Sequence, residues 1–188
     1  MGSGAEQEDR FRHVYAGNFK ALLAYALRRV EQPEDAADVV AETFLVAWRR
    51  SRDLPPDDEI RLWLYGVARR VLANHHRGGV RRERLGERLR LRITTALAAD
   101  PGSEVPQRLA VQAALDRLGE TDREVLMLTV WEGLQPREVA EVMRVSAAAV
   151  RTRLSRARAR LRDLVGDDLI PSGHVLDALT APVPEEGR

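Results

Sequence analysis

The chain has 188 residues, 30 Lys+Arg, 29 Asp+Glu, no cysteine and a formal net charge of +1. With 44% hydrophobic and 31% charged residues it is neither a disordered polymer nor a membrane protein. Its longest apolar run, Ala21 to Leu27, is far short of the roughly 20 residues that cross a bilayer, so no membrane insertion is expected. The length fits one or two domains, and the small, acidic stretch Met1–Arg10 does not read as a secretory signal. Lack of cysteine excludes disulfides and thiolate metal sites and fits a reducing cytoplasm.

Taken in chain order, almost every segment carries helical periodicity and none alternates convincingly with period two. Phe11, Val14, Tyr15, Leu22 and Ala26 predict a first helix over about 8–29. Gln32-Pro33-Glu34-Asp35 places a proline and two carboxylates at a helix start, where the dipole favours negative charge. Ala37, Val40, Ala41, Phe44 and Trp48 carry this second helix to about Arg50. Ser51–Glu59 reads as a loop around Pro55-Pro56. A third helix is predicted from about Ile60 to His76, stopped by Gly78-Gly79, with continuation into the basic stretch Val80–Leu97 left open.

Ala98–Pro106, with two prolines and a glycine, is the best linker in the chain. Beyond it Gln107–Leu118 and Thr121–Glu132 read as helices, the second opening on the capping-box pattern Thr121-Asp122-Arg123-Glu124 and closing at Gly133. Pro136–Met143 is a short helix. Arg144-Val145-Ser146 separates it from a long helix reaching about Val165. The fold class is therefore all-α, two small helical domains joined by a flexible linker. The first is expected over 8–97, the linker over 98–106, the second over 107–165 and an acidic, mobile tail over 166–188.

The total of +1 conceals a pattern. Residues 1–60 carry −4, 61–98 carry +8, 99–145 carry −4, 146–164 carry +5 and 165–188 carry −4. Every basic residue except Lys20 is arginine, whose planar fork suits bidentate contact with phosphate and guanine. In the second positive block Val150, Leu154, Ala157, Leu161 and Leu164 form an apolar stripe, while Ala148, Arg151, Thr152, Ser155 and Arg156 point the other way. A short helix, a three-residue turn and a longer basic helix make the helix-turn-helix pattern, with one face anchored and the other offered to a major groove. Ser146 is a natural N-cap, and Ala147-Ala148-Ala149 lets the helix N-terminus approach a DNA backbone closely. In the first positive block Trp63, Leu64, Val67, Ala68, Val71, Leu72 and His75 share one arc. Tyr65, Gly66, Arg69, Arg70 and Arg77 occupy the other, with Asn74 at its margin. Cations and flat groups of this kind hold single-stranded DNA. Trp63 goes with the core, whereas Tyr65 is open between core and base stacking.

Leu134–Met143 followed by Ser146–Arg158 resembles region 4 of bacterial sigma factors, although LuxR-type response regulators share a similar unit. Asp35–Trp48 resembles sigma region 2.2, and Trp63-Leu64-Tyr65-Gly66-Val67-Ala68-Arg69-Arg70 followed by Asn74 and Arg77 resembles regions 2.3 and 2.4. Domains 2 and 4 joined by a short linker are the layout of the extracytoplasmic-function group. The resemblance implies that Asp35, Asp38, Val39, Glu42, Thr43 and Leu45 face the β′ clamp helices of core RNA polymerase, with the β subunit a further contact. It implies that Tyr65, Arg69, Arg70, Asn74 and Arg77, with a base pocket involving the loop Leu54–Glu59, hold the opened −10 strand. Ser146, Ala148, Ala149, Arg151, Thr152, Arg153, Ser155 and Arg156 would read −35 duplex. An anti-sigma factor is a further implied partner. Ala41, Arg70, the loop Leu54–Glu59 and Gly66 depart from the family pattern, which bears on the −10 bases preferred.

No catalytic motif competes with this reading. His75 and His76 leave a helix about 100° apart and make a poor metal pair, and no phosphate-binding glycine loop, HExxH or GxSxG pattern occurs. Neither a metal nor another cofactor is expected, and catalysis is assigned to the partner. The main rival is a dimeric helix-turn-helix regulator acting without polymerase, which predicts palindromic sites. A second, a helical adaptor or enzyme accessory, predicts no salt-dependent DNA binding.

Overall fold

A computed structural model describes residues 3–86 and 113–165, with side chains from Gly4 to His75 and from Ala113 to Leu164. The chain divides into two units, Met1–Leu97 and Ala98–Arg188, and among the described residues every regular element is helical. The linker expected over 98–106, most of the helix expected over 107–118 and the acidic tail lie outside the described residues.

The first unit is built from α1 (Ser3–Leu27), α2 (Pro33–Arg49) and α3 (Asp57–Gly86), with a single 3-10 turn at Ser51–Asp53. Pro33 sits at the first helical position of α2, and Glu34 and Asp35 occupy its first turn, where its missing N–H is harmless and negative charge meets the positive helix end. The buried side of α2 is Ala36, Val39, Val40, Thr43, Phe44 and Ala47, a 3.6-residue stripe. Each of the three helices packs on the other two. Val14, Leu22, Tyr25 and Ala26 from α1 close the core against Ile60, Leu64, Tyr65, Val67, Ala68, Val71 and Leu72 from α3.

Two boundaries differ from those expected. α1 begins well ahead of residue 8. α3 starts at Asp57 and runs through Gly78-Gly79 to Gly86 instead of stopping near His76. Each glycine weakens a helix by about 1 kcal/mol relative to alanine, but neither removes a backbone donor as proline would. The arginine- and leucine-bearing turns that follow favour propagation.

The second unit holds α4 (Glu120–Val130), α5 (Pro136–Met143) and α6 (Ala147–Val165), preceded by one helical turn at 113–116. The capping box expected at Thr121 does not form, because α4 starts one residue earlier on Gly119, whose carbonyl accepts the Arg123 N–H at 2.9 Å. A capping interaction occurs instead at α5, where the Gln135 N–H donates to Glu138 Oε2 at 2.6 Å and Pro136 takes the first helical position. Between α4 and α5 Gly133 adopts a positive φ of 67°, accessible to glycine at little cost. Each helix packs on the other two, enclosing Val125, Leu126, Leu128, Val139, Val150, Leu154, Ala157 and Leu161.

Candidate nucleic-acid and polymerase interfaces

In the second unit α5, the turn and α6 produce the expected helix-turn-helix. α5 closes on Arg144 in the left-handed region (φ 56°, ψ 48°), and the Val145 N–H reaches back to the Ala140 carbonyl at 3.0 Å. That reversal sends the chain into α6, whose first turn is capped by Ser146 Oγ accepting the Ala149 N–H at 3.2 Å. The predicted stripe is buried at Val150, Leu154, Ala157 and Leu161 and half-buried at Leu164. Complete burial of a large aliphatic side chain such as Leu161 is worth roughly 1.5–3 kcal/mol, so Val150, Leu154 and Leu161 hold the orientation of α6 firmly. Ser146, Ala148, Thr152, Ser155 and Arg156 are exposed, and Ala149, Arg151 and Arg153 are half-buried. The Thr152 hydroxyl donates to the Ala148 carbonyl at 3.0 Å. Two arginines of the block also make contacts within the unit, Arg153 while staying partly accessible. Arg153 Nη1 lies 3.3 Å from Asp122 Oδ1 on α4. Arg158 is buried, and desolvation pushes its guanidinium below the usual arginine range.

In the first unit α2 presents an exposed stripe opposite its core face: Glu34, Ala37, Asp38, Ala41, Glu42, Leu45, Trp48 and Arg49. Its acidic groups Glu34, Asp38 and Glu42 lead into an apolar pair, Leu45 and Trp48, beside Arg49. Along α3, Arg70 and Asn74 are exposed and Arg69 is half-buried, and Arg70 Nε donates to the Gly66 carbonyl at 3.0 Å. The Arg77 side chain lies outside the described side chains.

These surfaces fall on two matched family segments: Sigma-70 region 2 over residues 14–82 and Sigma-70, region 4 over residues 108–161. RNA polymerase sigma factor CnrH of Cupriavidus metallidurans is 35% identical over 159 residues, covering 78% of this chain and 82% of CnrH. The chain belongs to the sigma-70 family. The solved structure of CnrH in complex with the cytosolic domain of CnrY matches at a TM-score of 0.60 and 28% identity, over 84% of this chain and 88% of that one. The sigma factor RpoE, solved in complex with the anti-sigma factor NepR from Bartonella quintana, shares the fold at a TM-score of 0.67 and 23% identity, over 85% and 98% of the two chains. The chain is thus a sigma factor of the extracytoplasmic-function group that directs promoter-specific transcription by RNA polymerase.

Three residues expected at the sigma factor's interfaces are not on its surface. Tyr65 is only 1% exposed. Its ring packs on Tyr25 at 5.0 Å, and its hydroxyl accepts Arg61 Nε at 3.3 Å and Nη2 at 3.2 Å. α3 is covered by both α1 and α2, so its buried arc is wider than a single apolar stripe and takes in position 65. Val39 and Thr43 are wholly buried, and the Thr43 hydroxyl donates to the Val39 carbonyl at 2.7 Å. They lie on the core side of α2, one turn apart, so neither side chain can face a partner. In the other direction, Trp63, expected in the core, is only half-buried, with the Arg50 guanidinium 6.0 Å from its ring centre.

The surface also carries groups that periodicity assigned to helix packing. Trp48 and Tyr15 are 44% and 42% exposed. Trp48 stands edge-on to Phe11 at 5.0 Å, and Tyr15 packs on Phe44 at 4.6 Å. The signal for Trp48 was its i+3 spacing from Leu45, in line with Asp38 and Glu42. No such signal exists for Tyr15, whose exposure depends on where α2 crosses α1.

Proposed function

We propose that this sigma factor docks on the β′ clamp of core RNA polymerase through Asp35, Asp38, Glu42 and Leu45, with the neighbouring Trp48. The duplex of the −35 element lies along Ser146, Ala148, Ala149, Arg151, Thr152, Arg153, Ser155 and Arg156 of the α6 face. The opened −10 strand is held by Arg69, Arg70, Asn74 and Arg77 with the loop ahead of α3. The carrying observation is that α6 buries its apolar stripe while leaving Thr152, Ser155 and Arg156 exposed on the opposite arc. That geometry supports the reading, because donors of the kind that reach base edges and phosphates stand on the open side of a helix whose rotation is fixed by packing. The region 2 match over 14–82 favours this over a dimeric regulator acting without polymerase, which has no use for a polymerase-docking helix.

In this reading the protein is not an enzyme: nucleotide chemistry belongs to the polymerase, and the sigma factor works in the cytoplasm. An anti-sigma partner is part of the reading, since the matched RpoE and CnrH structures are complexes with NepR and with the cytosolic domain of CnrY. The test is reconstitution of the full chain with core polymerase followed by promoter-selective transcription. Binding of core and initiation from a promoter subset are expected. Failure to bind core, or stimulation of no template, overturns the assignment.

A further inference from the structure

The −10 loop is short of internal hydrogen bonds because of its sequence. Leu54 and Pro55 both precede prolines, which drives them to extended backbone, as the Leu54 dihedrals of −68° and 139° show. Neither Pro55 nor Pro56 has an N–H to donate. The loop is tied at its ends: the Asp53 N–H bonds the Arg50 carbonyl at 2.9 Å, and the Glu59 and Ile60 N–H groups bond the Pro56 carbonyl at 3.0 and 2.9 Å. Leu54 is buried at 7% exposure, anchoring one side chain in the core. The carbonyls of Leu54 and Pro55 lie between these ties.

Both are taken by one side chain from α1. Arg10 Nη2 donates to the Pro55 carbonyl at 2.7 Å and to the Leu54 carbonyl at 3.2 Å. One helical turn earlier, Gln7 Nε2 donates to Ser51 Oγ, and Ser51 is itself buried. Gln7, Arg10 and the core residue Val14 recur at intervals of three and four, so they share a face of α1. Gln7 and Arg10 both precede residue 14, where the region 2 match begins.

We propose that Arg10, assisted by Gln7, is a positioning residue that fixes the loop Ser51–Pro56 in its base-selecting shape and thereby sets −10 sequence preference. The inference rests on the proposed role of this loop at the −10 strand. A guanidinium suits the task, because it donates several N–H groups from a rigid plane. With the clamp in place the loop meets the opened strand already ordered. Without it the two carbonyls turn to water and the loop samples several shapes, so discrimination between bases falls.

The experiment uses the full chain with core polymerase and promoters carrying each of the four bases at every −10 position, read by the yield of short initial transcripts from each promoter. Arg10→Ala should flatten the preference between best and worst bases by about three- to tenfold, the weight of one ordinary hydrogen bond. Core affinity and −35 duplex affinity should stay unchanged, and the melting temperature should fall by no more than about 8 °C, the effect of losing one such interaction. Gln7→Ala should act in the same direction but less, and Arg10→Lys, which keeps one charged donor, should restore part of the preference. Unchanged preference in Arg10→Ala overturns the proposal, as does loss of preference that comes with a fall in melting temperature well beyond about 8 °C and is not rescued by lysine. Arg52→Ala and Asp53→Ala, exposed within the loop, separate the two levels. If they alter preference and Arg10→Ala does not, the clamp alone is wrong. If neither set alters it, the loop's role at the −10 strand is wrong as well.

Discussion

Replacing Tyr65 distinguishes a core tyrosine from a base-stacking one. Its side chain is 1% exposed, its ring lies 5.0 Å from that of Tyr25, and its hydroxyl accepts two N–H groups from Arg61. Truncating a buried aromatic to alanine costs about 3–5 kcal/mol through lost transfer energy and the cavity left behind. In a small domain each kcal/mol lowers the melting temperature by about 4–8 °C. Tyr65→Ala should therefore lower the transition of the first unit by on the order of 15–30 °C in a circular-dichroism melt of the full chain. Tyr65→Phe keeps the ring and loses only the hydroxyl. Because Arg61 is exposed, its N–H groups turn to water and the cost is about 1 kcal/mol or less. Promoter opening by reconstituted polymerase should be nearly unchanged in Tyr65→Phe. If Tyr65→Ala melted like the parent chain but failed to open promoters, the ring would be acting on DNA and its placement in the core would be wrong.

Arg151→Ala and Arg156→Ala should each weaken duplex binding, and loss of one phosphate contact should reduce the slope of log affinity against log salt by about 1; no change at moderate salt would remove α6 from the interface. The Arg153–Asp122 pair, with side chains 41% and 26% accessible, should contribute no more than about 0.5 kcal/mol to stability in a double-mutant cycle. Arg153→Ala should lower duplex affinity more than Asp122→Ala in a titration of the same promoter fragment. Leu45→Ser and Asp38→Ala, both exposed, should lower affinity for core polymerase while shifting stability by less than about 0.5 kcal/mol, read by competition binding and thermal melting. Gly133→Ala should destabilise the second unit by about 1 kcal/mol from backbone strain at φ 67° alone, since a Cβ there meets nothing within 4 Å; an unchanged denaturation midpoint would contradict that backbone assignment.

The helix-turn-helix was legible in the sequence because its signals are local. Pro136 starts a helix, Ser146 caps one, and the stripe Val150, Leu154, Ala157, Leu161 repeats at the helical period, so the exposed arc of α6 follows by rotation alone. The helical character of α2 and the acidic stripe of Asp38 and Glu42 were legible for the same reason. The reversal at Arg144 was not, since a left-handed residue is ordinarily signalled by glycine or asparagine and here an arginine adopts it.

Other features depended on contacts made far along the chain. A helix packed on one side has one buried stripe, but α3 is packed by both α1 and α2, and the second contact is what takes Tyr65 away from solvent. Val39 and Thr43 sit within a predicted partner surface by sequence window, yet the turn of α2 places them on its inner face. Gln7 and Arg10 reach a loop 44 residues away, a pairing that no local period encodes. The sequence by itself determined the helices, their polar and apolar sides and the separation of charge into two positive blocks, because these follow from neighbours within a turn or two. Only the tertiary structure decided how many sides of each helix are covered and which cations are committed within the fold. Burial and ion pairing are set by what packs against a helix, and that is information no single helix contains.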